Sequence, residues 1–337
     1  MTGFIHETSL ATTTLSEITK VRDALSADRI FGCFAYATQS GFRAFELGVG
    51  KHFWKNTKSR WLFGIDYGRT DPRALREIAK CANSDVRIYD GRYVVDRDGF
   101  LPRRDFHPKV MLVENAASGA QGLVLGSGNF SYNGLQRSIE AGWTTVATTK
   151  PEIDRHILPV SSSFEALWKA ACPLGDIIDP YETRLAALIS SRDAKRVVKL
   201  KGQQSAFWIE AGHVTKNRGA GRPGNQIFAP NGFRHFFGLT KAKSGSTLMG
   251  TITFETSVGP NITNNYREND NGMEKLALPT PEQHGFGVYD GKVLVFQPHG
   301  NGFLTSAIEF DEFEAVYGHR LANVQTMTGG RRFGELI

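Results

Sequence analysis

Apolar residues in the first half of the chain gather into short continuous runs, each bounded by Gly, Pro, Ser or Asn. Runs at 29–37, 60–67 and 86–89 read as buried strands. Asp71-Pro72 opens a helix through residue 82, with Asp as N-cap and Pro at the first helical position. Residues 106–114 and 122–126 are two further Val- and Leu-rich strands, and another strand-like run follows Glu140. Residues 152–171 read as one long closing helix. Strands alternating with helices predict an α/β unit, a mixed sheet flanked by helices with its site at strand ends.

The pattern changes after residue 172. Pro173, Gly175 and Pro180 break structure, and a basic run from Arg192 to Lys201 follows. This divides the chain into an α/β unit at 1–175, a basic linker at 176–202 and a second unit at 203–337. The second unit reads as all-β, with strands at 206–211, 246–257, 285–289 and 292–297 between loops rich in Gly, Asn and Pro. Two of these loops stand out, 216–226 (K-N-R-G-A-G-R-P-G-N-Q) and 259–272 (G-P-N-I-T-N-N-Y-R-E-N-D-N-G). They hold Lys216, Arg218, Arg222 and Asn225 in the first, and Asn264, Asn265 and Arg267 in the second. Such side chains pair with base edges and phosphates, although Gly and Asn also serve ordinary turns. Lys195, Arg196 and Lys199 are candidates for contacts to a DNA backbone, set against the plainer reading of a solvated linker or helix face.

Composition narrows the classes. With 40 Lys and Arg against 34 Asp and Glu, the net charge is +6, a modest lean towards a polyanionic partner. No stretch approaches the roughly 20 apolar residues of a membrane span, and the N-terminus has no basic segment leading into an apolar one. Three scattered cysteines make no disulfide framework and no zinc pair. A cytoplasmic protein without a membrane partner is expected.

The candidate chemistry lies between residues 107 and 140. His107 and Lys109 are two apart, so on a strand they leave the same face, a ring that can attack beside a cation that can hold an anion. Alone such a pair is worth little in a chain with 9 His. Gly126-Ser127-Gly128-Asn129 adds glycines for close backbone approach, a hydroxyl and an amide for phosphate oxygens. Glu140 adds a carboxylate able to hold an imidazole by one ring nitrogen. Nucleophile, cation, amide donor and orienting acid together suit covalent phosphoryl chemistry.

These residues resemble the phospholipase D superfamily, whose signature is H-x-K, an acidic residue, then G-S-x-N. His107, Lys109, Ser127, Asn129 and Glu140 each match a position; Glu114 departs, standing where the family usually has Asp. There is no second copy of the motif, and single-copy members form dimers with a shared site, so the resemblance implies a homodimer. It also implies a phosphohistidine on His107, phosphate binding by Lys109, Asn129 and Ser127, and support of the imidazole by Glu140. Lys, His and Asn around the phosphate, in place of a carboxylate cluster, predict cleavage without a metal or other cofactor.

The second half resembles, in F-W-I-E-A-G-H, R-P-G-N-Q-I-F and F-R-H-F-F-G-L, the B3-type DNA-binding pseudobarrel. A phospholipase-D-like nuclease followed by a B3-like domain resembles one kind of restriction endonuclease. The expected function is therefore sequence-specific, metal-independent cleavage of double-stranded DNA, with a partner ATPase or methyltransferase possible in the same system. The alternatives are a lipid phosphodiesterase and a non-catalytic DNA-binding subunit of a defence complex.

Overall fold

The apolar runs of the first half become one mixed sheet, and those of the second half another. The computed structural model describes residues 1–7, 11–195, 205–242, 246–269, 272–327 and 329–337, with the backbone alone at 192–195. Two units divide the chain, Met1–Leu188 and Ile189–Ile337.

In the first unit, β1 (Thr2–His6), α1 (Thr14–Leu25), β2 (Arg29–Phe34), α2 (Gln39–Val49) and β3 (Lys58–Phe63) are followed by α3 (Pro72–Lys80) and β4 (Ser84–Ile88). Then come β5 (Lys109–Glu114), β6 (Gln121–Gly126), β7 (Glu140–Ala147), α4 (Lys150–His156), α5 (Leu158–Ala170), β8 (Cys172–Pro173) and α6 (Ile178–Lys195), whose residues from Ile189 onward belong to the second unit. The strands make one sheet in the order β1-β7-β6-β5-β2-β3-β4-β8. Only β2, β3 and β4 run parallel to one another. Trp61, Phe63, Met111 and Val113 pack on one face with Leu15, Phe45 and Leu75 from α1, α2 and α3. Phe31, Cys33, Leu62 and Leu112 pack on the other with Phe164 and Trp168 of α5. Burial on both faces is the reason these strands are continuous apolar runs rather than alternating ones. Local chemistry sets the helix ends: Thr13 and Ser16 form a capping box on α1, and Asp71 accepts the Arg73 N–H at the start of α3.

Element ends and the linker depart from the sequence reading in the first half of the chain. The strand expected from 106 begins at Lys109, because Pro108 has no N–H to give a sheet ladder. The single helix expected at 152–171 is two, broken at Ile157, because the ring of Pro159 clashes with a continuing helix. Where a linker is expected at 176–202, residues Ile178–Lys195 form α6. Its Ile178 and Tyr181 are buried in the first core, and the Tyr181 hydroxyl donates to Thr70 O at 2.6 Å.

The second unit carries β9 (Ala206–Glu210), β10 (Gln226–Ala229), β11 (Leu248–Glu255), β12 (Ile262–Glu268), β13 (Glu274–Ala277), β14 (Val293–His299) and β15 (Gly302–Ile308). A helix α7 (Phe310–Tyr317) and strands β16 (Leu321–Thr326) and β17 (Arg332–Leu336) complete it. The sheet order is β10-β13-β12-β11-β15-β14-β9-β17-β16, with only β11 and β15 parallel. Ile227 of β10 and Phe333 of β17, far apart in that order, share one core with Phe207, Phe254, Tyr266 and Phe296. The Arg331 guanidinium also bonds Phe228 O of β10. A flat sheet could not bring these strands together, so the sheet curls around its aromatic core. Trp208 and Val293 face a second core under α7 with Phe313. The strand expected at 285–289 is a loop in which Gly285 and Gly287 take positive φ. The loop expected at 259–272 contains β12, whose Tyr266 turns into the core while Asn265 and Arg267 turn out.

Candidate active site

Antiparallel pairing brings the motif together. Val110 lies opposite Leu125 and Gly126 opposite Gly142, so the start of β5, the end of β6 and the start of β7 meet at one end of the sheet. Lys109, Ser127 and Glu140 stand there. His107 hangs beyond Pro108, and the stretch after β2 ties both halves of the motif: Ala35 N–H donates to Pro108 O at 2.9 Å, while Phe130 N–H donates to Tyr36 O at 3.3 Å. The loop carrying Asn129 folds back on a single π turn, Asn133–Arg137. A Cβ on Gly128 would lie 2.2 Å from Gly134 O, and one on Gly134 would lie 2.4 Å from Asn129 N. These two glycines let the backbones touch.

Lys109 Nζ lies 2.7 Å from His107 Nδ1 and 3.0 Å from His107 O. An ammonium only donates, so Nδ1 accepts and a neutral ring carries its proton on Nε2. His107 is exposed; Lys109 is only 9 % exposed. Burial lowers the Lys109 pKa, and the Glu140 charge opposes that fall. Asn129 has its Oδ1 buried without a hydrogen-bond partner among the described residues. An orphaned amide oxygen of this kind costs stability, and it leaves the group uncommitted.

Two of the motif residues have partners that their expected roles do not include. The Ser127 hydroxyl donates to the Glu140 carboxylate and accepts the Ala141 N–H at 3.0 Å, so it is spent on β7 rather than held open for phosphate. Glu140 in turn bonds Ser127 and faces Lys109, where the sequence reading has it hold the His107 ring. Strand pairing explains both: Glu140 opens β7 directly beside the end of β6, whereas His107 projects past Pro108. Glu114 ends β5 at the far end of the strand, 3.6 Å from Arg29. A cavity of about 680 Å³ opens at that far end, lined by Arg29, Arg60, Glu114 and Glu165 and by none of the five motif residues. His107 instead sits on an open strand end, which suits an extended substrate.

His6 escapes the sequence reading, for nothing in its neighbours marks it. It is the cross-strand partner of Glu140, fully buried, with Nδ1 3.1 Å from the Thr14 hydroxyl. Burial holds its pKa below the ordinary value, against the pull of Glu140 and the carbonyls of Gln136 and Gly134. A neutral ring thus supports the first residue of β7 from behind. On the other face of β1 and β7, Ile5, Ile139 and Trp143 are 55 %, 78 % and 56 % exposed, an apolar patch that starts one residue from His6 and from Glu140.

The residues expected to contact DNA differ in their exposure and partners. Arg218 is paired with Glu282 at 2.7 Å and donates to Pro223 O. Asn225 is joined to Asn217 and donates to Leu278 O at 2.8 Å, so both hold their loop in shape. Asn264 turns inward on β12. Lys216, Arg222, Asn265 and Arg267 are exposed. Lys195 closes α6, where the backbone alone is described, and Arg196 and Lys199 lie outside the described residues. Among the described residues no helix is long and apolar enough to cross a membrane.

No family model and no curated protein matches this sequence. Among solved structures it is similar to NucT from Helicobacter pylori, at 15% identity over 51% of this chain and 97% of that one, with a TM-score of 0.37. Nuc from Salmonella typhimurium, a phospholipase D family member, is 12% identical over 51% and 97%, with a TM-score of 0.32. Yeast tyrosyl-DNA phosphodiesterase is 13% identical over 49% of this chain and 38% of that one, with a TM-score of 0.28. At such values the likenesses carry no argument, and a functional reading rests on the chain's own residues.

Proposed function

We propose that this protein is a metal-independent phosphodiesterase of the phospholipase D superfamily that cuts double-stranded DNA at a specific sequence, as a restriction endonuclease does. The observation that carries this reading is an exposed imidazole in contact with a buried lysine, beside an asparagine whose buried amide oxygen has no partner among the described residues, on an open strand end. His107 Nε2 attacks the phosphorus, and the P–O bond to the leaving sugar oxygen breaks as the P–N bond forms. The His107 of a second copy, entering as the imidazolium, donates a proton to that oxygen and is left neutral, then takes one from the water that hydrolyses the phosphohistidine. Lys109 and Asn129 neutralise the non-bridging oxygens as charge shifts. An arriving phosphate draws the Lys109 ammonium from Nδ1, freeing that nitrogen to carry the proton and Nε2 to attack.

The second unit is the reader in this proposal. Exposed Lys216 and Arg222 on the 216–226 loop and Asn265 and Arg267 on β12 supply donors for phosphates and base edges. Its curled sheet is compatible with a B3-like barrel. Incubation with plasmid DNA in excess EDTA, beside a phospholipid vesicle assay, tests the whole reading. Discrete fragments are expected, with vesicles untouched. A smear would remove the sequence-specific part; a strict Mg²⁺ requirement would remove the mechanism; vesicle hydrolysis alone would make the protein a lipid phosphodiesterase.

The shared site needs a homodimer, and the patch of Ile5, Ile139 and Trp143 supports one. A buried aromatic anchor is worth about 2 kcal/mol or more at an interface, so Trp143→Asp should weaken the dimer by about 30-fold or more. Analytical ultracentrifugation checks this, with cleavage rates following the dimer fraction. A wild-type protein that stays monomeric at micromolar concentration would overturn the shared site.

A further inference from the structure

Two successive residues of one turn grip the two successive residues that precede His107. Asp66 Oδ2 accepts the Phe106 N–H at 2.8 Å, and the Tyr67 hydroxyl donates to Asp105 Oδ1 at 2.7 Å. We propose that the Asp66–Tyr67 turn is a positioning clamp for His107, with Asp66 its principal member. The inference rests on the reading of His107 as nucleophile, but its mechanical part is tested without activity.

The turn carries the marks of a part kept for something other than stability. Asp66 is 8 % exposed, and its Oδ1 is buried without a hydrogen-bond partner among the described residues. Burial raises its pKa, and the neighbouring Asp105 and Asp90 carboxylates add to the rise. Tyr67 sits at φ 59, a left-handed conformation that an aromatic residue rarely adopts. A buried, half-satisfied carboxylate and a strained backbone both cost free energy, and such costs gather where geometry must be held. The far ends of the turn are anchored too. Gly64 N–H donates to Phe34 O at 3.2 Å, and the Thr70 hydroxyl donates to Gly64 O at 2.5 Å.

The clamp completes a bracket around the catalytic ring. Downstream, Ala35 N–H holds Pro108 O at 2.9 Å, so His107 lies between a residue fixed by Asp66 and a residue fixed by β2's extension. The Phe106 ring stacks on Tyr89 at 4.6 Å and fills the space beside Gly64. Pro108 itself has no N–H to add a ladder bond, and His107 makes no strand pairing. Without Asp66 the Phe106 N–H would lose its acceptor, and the upstream side of His107 would be held only by the Tyr67–Asp105 bond and the packing of the Phe106 ring.

The test compares Asp66→Ala, which removes the acceptor, with Asp66→Asn, whose amide oxygen still accepts the Phe106 N–H. The His107 ring is followed by NMR on histidine-labelled protein, and single-turnover cleavage and DNA affinity are measured beside it. In Asp66→Ala the His107 resonance should move towards that of an unconstrained histidine. Cleavage at saturation should fall by about 100-fold, the scale of a catalytic group misplaced by an ångström, with DNA affinity within about twofold. Asp66→Asn should keep the wild-type resonance and stay within about threefold in rate. An unmoved resonance in Asp66→Ala, or an Asp66→Asn protein as damaged as Asp66→Ala, would overturn the clamp. Should Asp66→Ala fail to fold, hydrogen exchange in the wild-type protein decides: the Phe106 amide should be protected, and exchange as fast as that of Arg103 or Arg104 overturns the proposal. If wild-type protein cuts nothing while the resonance still responds to Asp66→Ala, the nuclease reading fails and the clamp stands.

Discussion

His107→Ala should abolish cleavage, with a single-turnover rate lower by about 10⁴-fold or more, in line with removing the nucleophile of a covalent mechanism. Nothing beside it can take over. Lys109 is a cation whose neutral form would lack the geometry of the ring, and Ser127 is engaged with Glu140 and the β7 backbone. DNA affinity should change by no more than about threefold, since binding is assigned to the second unit. Rates at saturating enzyme and gel-shift affinities provide the comparison. Acid-quenched wild-type reactions with ³²P-labelled DNA should in addition leave label on the protein, and the variant should carry none. Near-normal cutting by His107→Ala would end the mechanism.

Asn129→Ala should separate activity from stability. Losing one donor to a transition-state oxygen costs about 10²–10³-fold in rate. The same change deletes a buried acceptor that has no partner, so unfolding free energy should hold or rise, by up to about 1 kcal/mol. A structural asparagine would behave in the opposite way, destabilised on truncation with its activity intact while folded. Lys109→Ala should cost a similar factor in rate, and Lys109→Arg should not rescue it. The pocket around this buried Nζ spans one ring nitrogen and one carbonyl, and a planar guanidinium cannot fit that geometry. Chemical denaturation run beside single-turnover kinetics settles both cases. An Asn129→Ala protein that loses stability but keeps its rate would remove Asn129 from the site.

The continuous apolar runs at β2, β3, β5 and β6 were legible because both faces of those strands are buried, so composition alone marks them. The motif was legible for a different reason, since the chemistry demands particular residue types and their spacing follows the strands that carry them. Element ends were read less well. Pro108 moves a strand start through its missing N–H, and Pro159 splits a helix through its ring clash, although the apolar run continues across both. In the second unit β12 was hidden by its Asn and Gly neighbours. The alternation of Ile262, Asn264 and Tyr266 inward with Thr263, Asn265 and Arg267 outward is the strand signal, but it is broken by an inward Asn.

The sequence by itself determined which residues could do chemistry: an imidazole, an ammonium and an amide at motif spacing, in a chain with a modest excess of positive charge. What each touches was decided by tertiary structure. Register between β6 and β7 commits Ser127 to Glu140, and Glu282, 64 positions along the chain, commits Arg218. The same long-range pairing sets His6 behind Glu140 and brings Asp66, 40 positions earlier, onto the Phe106 amide. Residue type and local spacing reach only neighbours along the chain. A hydrogen bond between strands depends on register and burial, which arise when distant segments pack, and no local pattern records them.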